Sequence, residues 1–351
     1  MALSLEKESV GCMAGDVFVY LKSDGDWTLS ISPAREWASL NKTSGKGPST
    51  AILHYEANGT DTPRSLTLRL VSGKYAMERQ LVQEAYSAAG PVPEGINPDP
   101  VANWLELPAV NDGDGRYFFT HDMTIGGRKT RNYSFYLDTD AKIAVWVAYP
   151  LNRGLIGSGS RSDAWGLDPK VPKAYQSVIY SAYRGGYERG HQLPSADRYS
   201  ANVSTFFGTN MTPQKGSLNE NAWASLETMV RTWSYQFDTL YVVTGADIAG
   251  SSSYATDNEG KKIAVPTGYF KALLGYKRSA TIGMTPTTGG YTAIGFYFKH
   301  QSYDSGRIME QSMTIDALEE KLGTDFFVNL PGVITPKLAA KVESTMDPWW
   351  K

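Results

Sequence analysis

Residues 187–198 read Tyr-Glu-Arg-Gly-His-Gln-Leu-Pro-Ser-Ala-Asp-Arg, and two further segments follow closely, Asn-Met-Thr-Pro-Gln at 210–214 and Ser-Leu-Asn-Glu-Asn-Ala-Trp-Ala-Ser-Leu-Glu at 217–227. They bring a histidine, an arginine, two asparagines and a carboxylate into one short stretch, which suits hydrolysis of a phosphodiester. That reaction needs a base to deprotonate water, a cation to hold phosphate oxygens and steady the leaving oxygen, and arginines to take up charge. His191 is the candidate base, because an imidazole ordinarily titrates near neutrality. Arg189 stands two residues away, with Gly190 between them permitting close approach. Asn219 offers a neutral oxygen to a hard cation such as Mg²⁺, and Glu227 can accept hydrogen bonds from that cation's waters.

These side chains need a helix to hold them. Ser217 with Glu220 three residues later reads as a capping box, which places Asn219 in the first helical turn. Trp223, Glu227 and Arg231 then follow at four-residue intervals along one slowly drifting face. A tryptophan in that row also fits plain core packing. The first turn carries positive partial charge, which favours phosphate over a cation, so a metal there must be held largely by the phosphate.

The remaining elements are legible from periodicity. Alternating runs at 27–31 and 65–71, separated by turn-rich stretches such as residues 41–48, predict a small all-β sandwich over residues 1–84. His54 falls in a strand of that module and is read as structural. A stretch rich in proline and glycine over 85–108 reads as a linker. Strand-like runs follow at 133–137, 143–149, 240–244, 269–274 and 293–298. With the helix from Ser217 and a second near 316–322 ending at Gly323, they predict an α+β domain over 109–351 around a central antiparallel or mixed sheet.

The motif residues resemble those of the DNA/RNA non-specific endonuclease family, the sugar-nonspecific ββα-metal (His-Me finger) nucleases. That family's signature is Asp-Arg-Gly-His, a downstream Asn-x-x-Pro-Gln, and a helix carrying Asn and Glu. Here the matching residues are Glu188, Arg189, Gly190 and His191, then Asn210, Pro213 and Gln214, then Asn219 with Glu227. The similarity extends from about Tyr117 to the end of the chain, through residues 159–165, 242–245, 263–271 and 323–331. It implies His191 as general base, Asn219 as the only direct protein ligand of Mg²⁺ (Mn²⁺ being the alternative), Glu227 as holder of metal-bound water and Arg189 as a phosphate contact. Arg161, Asn210 and Arg231 are secondary candidates, Asn210 for catalysis and the arginines for substrate. Glu188, also placed beside substrate, replaces the usual aspartate, and Phe206 stands where some members carry another asparagine. The implied products are 5'-phosphate ends on DNA and RNA. Residues 25–27, 36–37, 43–45, 58 and 79–83 resemble the BACON module, an immunoglobulin-like domain for which carbohydrate or mucin binding is proposed; a carbohydrate or surface partner is implied by that resemblance, and a spacer or adhesion role is equally compatible.

Composition limits the alternatives. The chain has 351 residues, 41% hydrophobic and 20% charged, and a net charge of -2, which gives no global attraction to nucleic acid. Residues 150–231 nevertheless carry nine Lys or Arg against six Asp or Glu, a local +3 around the motif. One cysteine, Cys12, excludes an internal disulfide and the cysteine-rich structural zinc sites. No segment reads as a membrane span or a secretory signal, so the protein is either cytoplasmic or its signal was removed; abundant Tyr, Trp, Ser, Thr and Asn with almost no cysteine favour the second, an extracytoplasmic protein. His121 and His300 lack motif neighbours and are read as surface or core residues, and Trp349 with Trp350 as packing residues. Two other functions remain compatible: an inactive domain that only holds nucleic acid or a surface partner, and a phosphodiesterase for a smaller phosphate ester.

Overall fold

The computed structural model describes residues 1–10, 15–58, 60, 62–83, 93–110, 115–278 and 290–350. Cys12 and residues 85–92 of the expected linker lie outside that set. The chain divides into two compact units, Met1–Pro91 and Val92–Lys351.

In the first unit one four-stranded sheet contains Ala2–Leu5, Gly15–Lys22, Ser49–Tyr55 and Ala38–Leu40, and one five-stranded sheet contains Ser9–Val10, Tyr75–Gln83, Arg64–Ser72, Asp26–Ser32 and Ser44–Lys46. Both sheets contribute to a single apolar cluster that includes Val17, Val19, Trp27, Leu29, Leu53, Leu66, Leu68 and Leu81. The alternation expected at 27–31 and 65–71 is therefore the alternation of inward and outward positions. His54 is exposed, and its Nδ1 lies 2.9 Å from Asp16 Oδ1.

The second unit begins before residue 109. Of the stretch expected as linker, Ile96 and Leu107 are buried in its core, and Glu106 accepts from Arg131 Nε at 2.7 Å. Prolines here remove backbone donors without preventing the chain from lying against a folded surface.

A seven-stranded sheet organises this unit. Its spatial order is Arg116–Ile125, Arg128–Asp138, Ile143–Leu151, Thr239–Asp247, Gly268–Tyr276, Tyr291–Lys299 and Ser312–Met313. Spatial order equals chain order, and every neighbouring pair is antiparallel. All five expected strands are present inside these. Both faces are covered, so the strands read as nearly continuous apolar runs rather than alternating ones. Phe119, Phe135, Val147, Tyr149, Val242, Leu273 and Phe296 face one layer, with Trp223, Leu226 and Val230 from a helix. Phe118, Tyr136, Trp146, Val243, Phe270, Ala272 and Ala293 face the other, with residues of the helices Ile315–Leu322 and Pro336–Ser344. The first of those helices stops at Gly323 in the left-handed conformation, as expected. Trp350 is buried against Trp233 and Phe237, the packing role read for the tail.

The eight candidate site residues named from the sequence all lie in one excursion. The strands ending at Leu151 and beginning at Thr239 are bonded neighbours, with Trp146 opposite Gly245 and Leu151 opposite Leu240. Everything between them is built out from one face of the sheet.

The close packing of the central strands yields a stability test. A Cβ at Gly245 would overlap the Phe270 ring and press on the Val145 carbonyl. Gly245→Ala should destabilise the second unit by roughly 1–3 kcal/mol, the usual cost of overpacking, seen as a lower urea midpoint; an unchanged midpoint would show that the strands can part at no cost.

Candidate active site

Two short antiparallel strands and a helix form the site. Glu188–His191 pairs with Met211–Gln214 so that Glu188 is opposite Gln214 and His191 opposite Met211. Gly190 has no side chain because Gln214 occupies that space; a Cβ there would run into the Gln214 amide. The helix follows directly as α over Gly216–Leu218, a π turn over Asn219–Trp223, and α again over Ala224–Ser234.

The helix start differs from expectation. Its cap position is Lys215, which makes no side-chain capping bond, and Ser217 lies inside the first turn. What anchors this end is His300: its Nε2 accepts from the Lys215 backbone N–H at 2.7 Å, while its Nδ1 lies 2.8 Å from the Pro266 carbonyl. A tertiary acceptor replaces the serine cap, which no local pattern announces. The π turn also breaks the four-residue interval between Asn219 and Trp223 and re-aims Asn219 relative to Glu227.

A cleft of about 250 Å³ is lined by Arg161, Arg189, His191, Asn219 and Glu227, together with Pro194, Ser195 and Ala196. Five of the eight residues singled out from the sequence therefore meet at one opening. The other three stand behind it. Asn210 is fully buried: its Oδ1 accepts from the Leu193 backbone N–H, and its Nδ2 donates to the Leu193 and Thr205 carbonyls. With its amide spent on the backbone, it braces the loop after His191 instead of reaching a substrate. Arg231 is drawn away by Asp197, whose Oδ1 it meets at 2.9 Å, and donates also to Thr228. Glu188 is not among the residues lining the cleft; it accepts from Asn219 Nδ2 at 2.8 Å and so contacts the site through Asn219.

That bond decides what Asn219 presents. With Nδ2 committed to a carboxylate, the acceptor Oδ1 is the group left for a cation. The described residues contain no cluster of three or more His, Cys, Asp or Glu able to hold a metal. The donor set fits a hard ion that keeps most of its waters, and Mg²⁺ is the divalent ion with that habit.

His191 sits between two aromatic rings, edge-on to Trp165 at 5.5 Å and to Phe206 at 5.2 Å. Burial, then the charges of Arg161 and Arg189, push its pKa down to about 3, against the opposing effects of a hydrogen bond to the Arg189 backbone and of Asp163. Its Nε2 is buried and has no partner among the described residues, so the backbone bond falls to Nδ1 and the lone pair to Nε2. The ring is thus a neutral acceptor in a fixed tautomer.

Glu227 is pushed above the ordinary carboxylate range by burial, with Lys271 opposing and Asp197 adding to the shift. Lys271 is pushed down, again chiefly by burial. This lysine was not singled out from the sequence. It is fully buried on the site face of the sheet, donates to Thr244 Oγ1 at 3.0 Å and lies 4.6 Å from the Trp223 ring centroid. The available signal was a charge inside the apolar run 269–274. Trp165, equally unremarked, stacks under Arg189, whose Cζ lies 3.5 Å from its ring centroid. Of the other two histidines, His121 is buried against Asp168 at 2.8 Å and His300 holds the helix start, so both are core residues.

Residues 115–332 match the family model described as DNA/RNA non-specific endonuclease. A nuclease from Nostoc sp. is 30% identical over 219 residues, covering 61% of this chain and 76% of that protein. Mitochondrial endonuclease G from Bos taurus is 34% identical over 193 residues, covering 50% of this chain and 64% of that protein. A nuclease from Serratia marcescens is 27% identical over 220 residues, covering 60% and 77%. None of these alignments accounts for the whole of the present chain.

The low pKa of His191 has a consequence for stability in the free protein. Between about 3 and the ordinary 6.5 the unfolded chain binds a proton that the folded chain refuses, so stability from this residue is present above 6.5 and lost as pH falls. Replacing His191 with Gln should flatten the fall in melting temperature between pH 7 and pH 4; parallel curves for the two proteins would refute the burial argument.

Proposed function

The chain belongs to the DNA/RNA non-specific endonuclease family, and we propose that it is a Mg²⁺-dependent, sugar-nonspecific endonuclease that hydrolyses DNA and RNA to leave 5'-phosphate ends. The observation that carries this reading is the convergence of His191, Asn219, Glu227, Arg161 and Arg189 on one cleft.

In this reading His191 Nε2 accepts the proton of the attacking water, its orientation fixed by the bond from the ring to the Arg189 backbone. A bound phosphodiester brings negative charge against the two guanidiniums that depress the imidazole, and so raises its basicity when substrate is in place. Arg189 and Arg161 take up charge on the phosphate oxygens. Asn219 Oδ1, left available by the bond to Glu188, would be the direct cation ligand, and Glu227 would accept hydrogen bonds from the cation's waters. A hydrated Mg²⁺, when bound, supplies charge neutralisation and an acidified water for the departing oxygen. Asn210 and Arg231 act indirectly, by bracing the loop after His191 and by holding Asp197. Because the recognised groups are phosphates, sequence preference should be slight and affinity should fall with salt. For the first unit we propose an immunoglobulin-like module, a reading supported by its two sheets and shared core; a spacer or adhesion role in an extracytoplasmic protein is the function proposed for it.

Plasmid nicking and RNA digestion, run in parallel with Mg²⁺, with EDTA and with His191→Ala, test the assignment. Cleavage of both polymers only by the native protein with Mg²⁺ is expected, with a loss of roughly 10²-fold or more in the alanine variant, the usual contribution of a general base. Activity surviving in that variant would reject His191, and none in any tube would favour a binding-only protein.

The helix start adds a second test. Positive partial charge in the first turns opposes a cation, so calorimetry should find Mg²⁺ bound weakly by the free protein and at least about tenfold more tightly with an oligonucleotide present. Equal affinity in both states would remove the idea that phosphate shares in holding the metal.

A further inference from the structure

Two guanidiniums stand side by side at the cleft, and their mutual repulsion has to be offset. Arg189 is held below the ordinary arginine range first by burial and then by the charge of Arg161. Asp163 bonds Arg161 Nε at 2.7 Å, and both partners are about half exposed, where an ion pair stabilises little. Arg189 donates from Nη1 to the Ile179 carbonyl at 3.2 Å and otherwise lies flat on an indole.

That indole is Trp165. Arg189 Cζ lies 3.5 Å from its ring centroid and Arg161 Cζ lies 5.6 Å from it. Phe206, fully buried, meets the Trp165 ring perpendicularly at 4.8 Å and has Arg161 Cζ 4.9 Å from its own centroid. Phe206 also stands edge-on to His191, so the ring that holds Trp165 in place is packed on the base as well.

We propose that Trp165 is the positioning residue of the phosphate clamp: its ring gathers Arg189 and Arg161 at the cleft without using their donors, so that the N–H groups beyond those meeting Ile179 and Asp163 are left for substrate. A carboxylate could gather them too, but it would occupy the donors and repel the phosphate. An aromatic face attracts the cations through its quadrupole without carrying net charge, and guanidinium stacking leaves the planar fork available for bidentate contact. The phenylalanine at 206, where some members of the family carry asparagine, then becomes the wall that fixes the indole. This inference rests on Arg189 being a phosphate contact in the proposed function.

The test uses the full chain with EDTA present, so that nothing is cleaved, and reads anisotropy of a labelled single-stranded DNA oligonucleotide. Variants are Trp165→Phe, Trp165→Leu, Arg189→Ala and the Leu/Ala double variant, with Trp165→Gln as a second non-aromatic replacement should the leucine protein fold poorly. Leucine should weaken binding about tenfold and phenylalanine no more than about threefold, the difference a cation–π face makes. In the Arg189→Ala background the leucine change should cost no more than about threefold, because its main partner is gone. Equal losses with phenylalanine and with the non-aromatic variants, or a leucine loss that simply adds to that of Arg189→Ala, would overturn the role of Trp165. Unweakened binding by Arg189→Ala alone would instead overturn the phosphate-contact reading beneath it.

Discussion

The hydrogen bond from Asn219 Nδ2 to Glu188 Oε2 is where the site becomes one object. Asn219 belongs to the helix and Glu188 to the strand that carries His191, three residues further on, so one contact sets the distance between the two halves of the chemistry. It also chooses which end of the amide faces outward. Charge-assisted bonds of this kind are shorter and stronger than neutral ones, and this one reaches the first residue of the π turn.

Beneath that contact lies an unusual amount of buried charge. Asp197, Lys271 and Arg198 are almost wholly enclosed, and Glu227 sits among them. Each is partnered: Asp197 by Arg231 and Tyr149, Lys271 by Thr244 and the Trp223 ring, Arg198 by Asn132 and three backbone carbonyls. Hydrophobic groups of similar size would stabilise the fold at least as well. The arrangement makes sense as a fixed array of charges that reorganises little when a polyanion arrives, the property that lets electrostatics lower a barrier.

Much of this was legible beforehand because the signals were local. His191, Arg189 and Gly190 are adjacent, Asn219 and Glu227 share a helix, and the long apolar strands declare themselves by composition. What stayed hidden was set at a distance. His300 holds the helix start from 85 residues away, which defeats a reading built on the Ser217 and Glu220 spacing. Asn210 and Arg231 were secondary candidates through the family resemblance, and in the fold Asn210 bonds the Leu193 and Thr205 backbone while Arg231 meets Asp197 and Thr228. Residue type shows what a side chain can do; only its neighbours show whether that capacity is already used. The residues 93–108 show the same thing for backbone, since a composition typical of linkers lies packed against a core.

The excursion that carries the site leaves the sheet at Leu151 and returns at Thr239, two ends that hydrogen-bond as neighbours. In polymer terms it is a closed loop, whose closure entropy grows only with the logarithm of its length. Segments may thus be inserted or removed on its outer side at small thermodynamic cost, while the meander beneath keeps its register. A scaffold of this kind lets the shape presented to a polymer diverge between lineages without renegotiating the foundation on which the reacting groups stand.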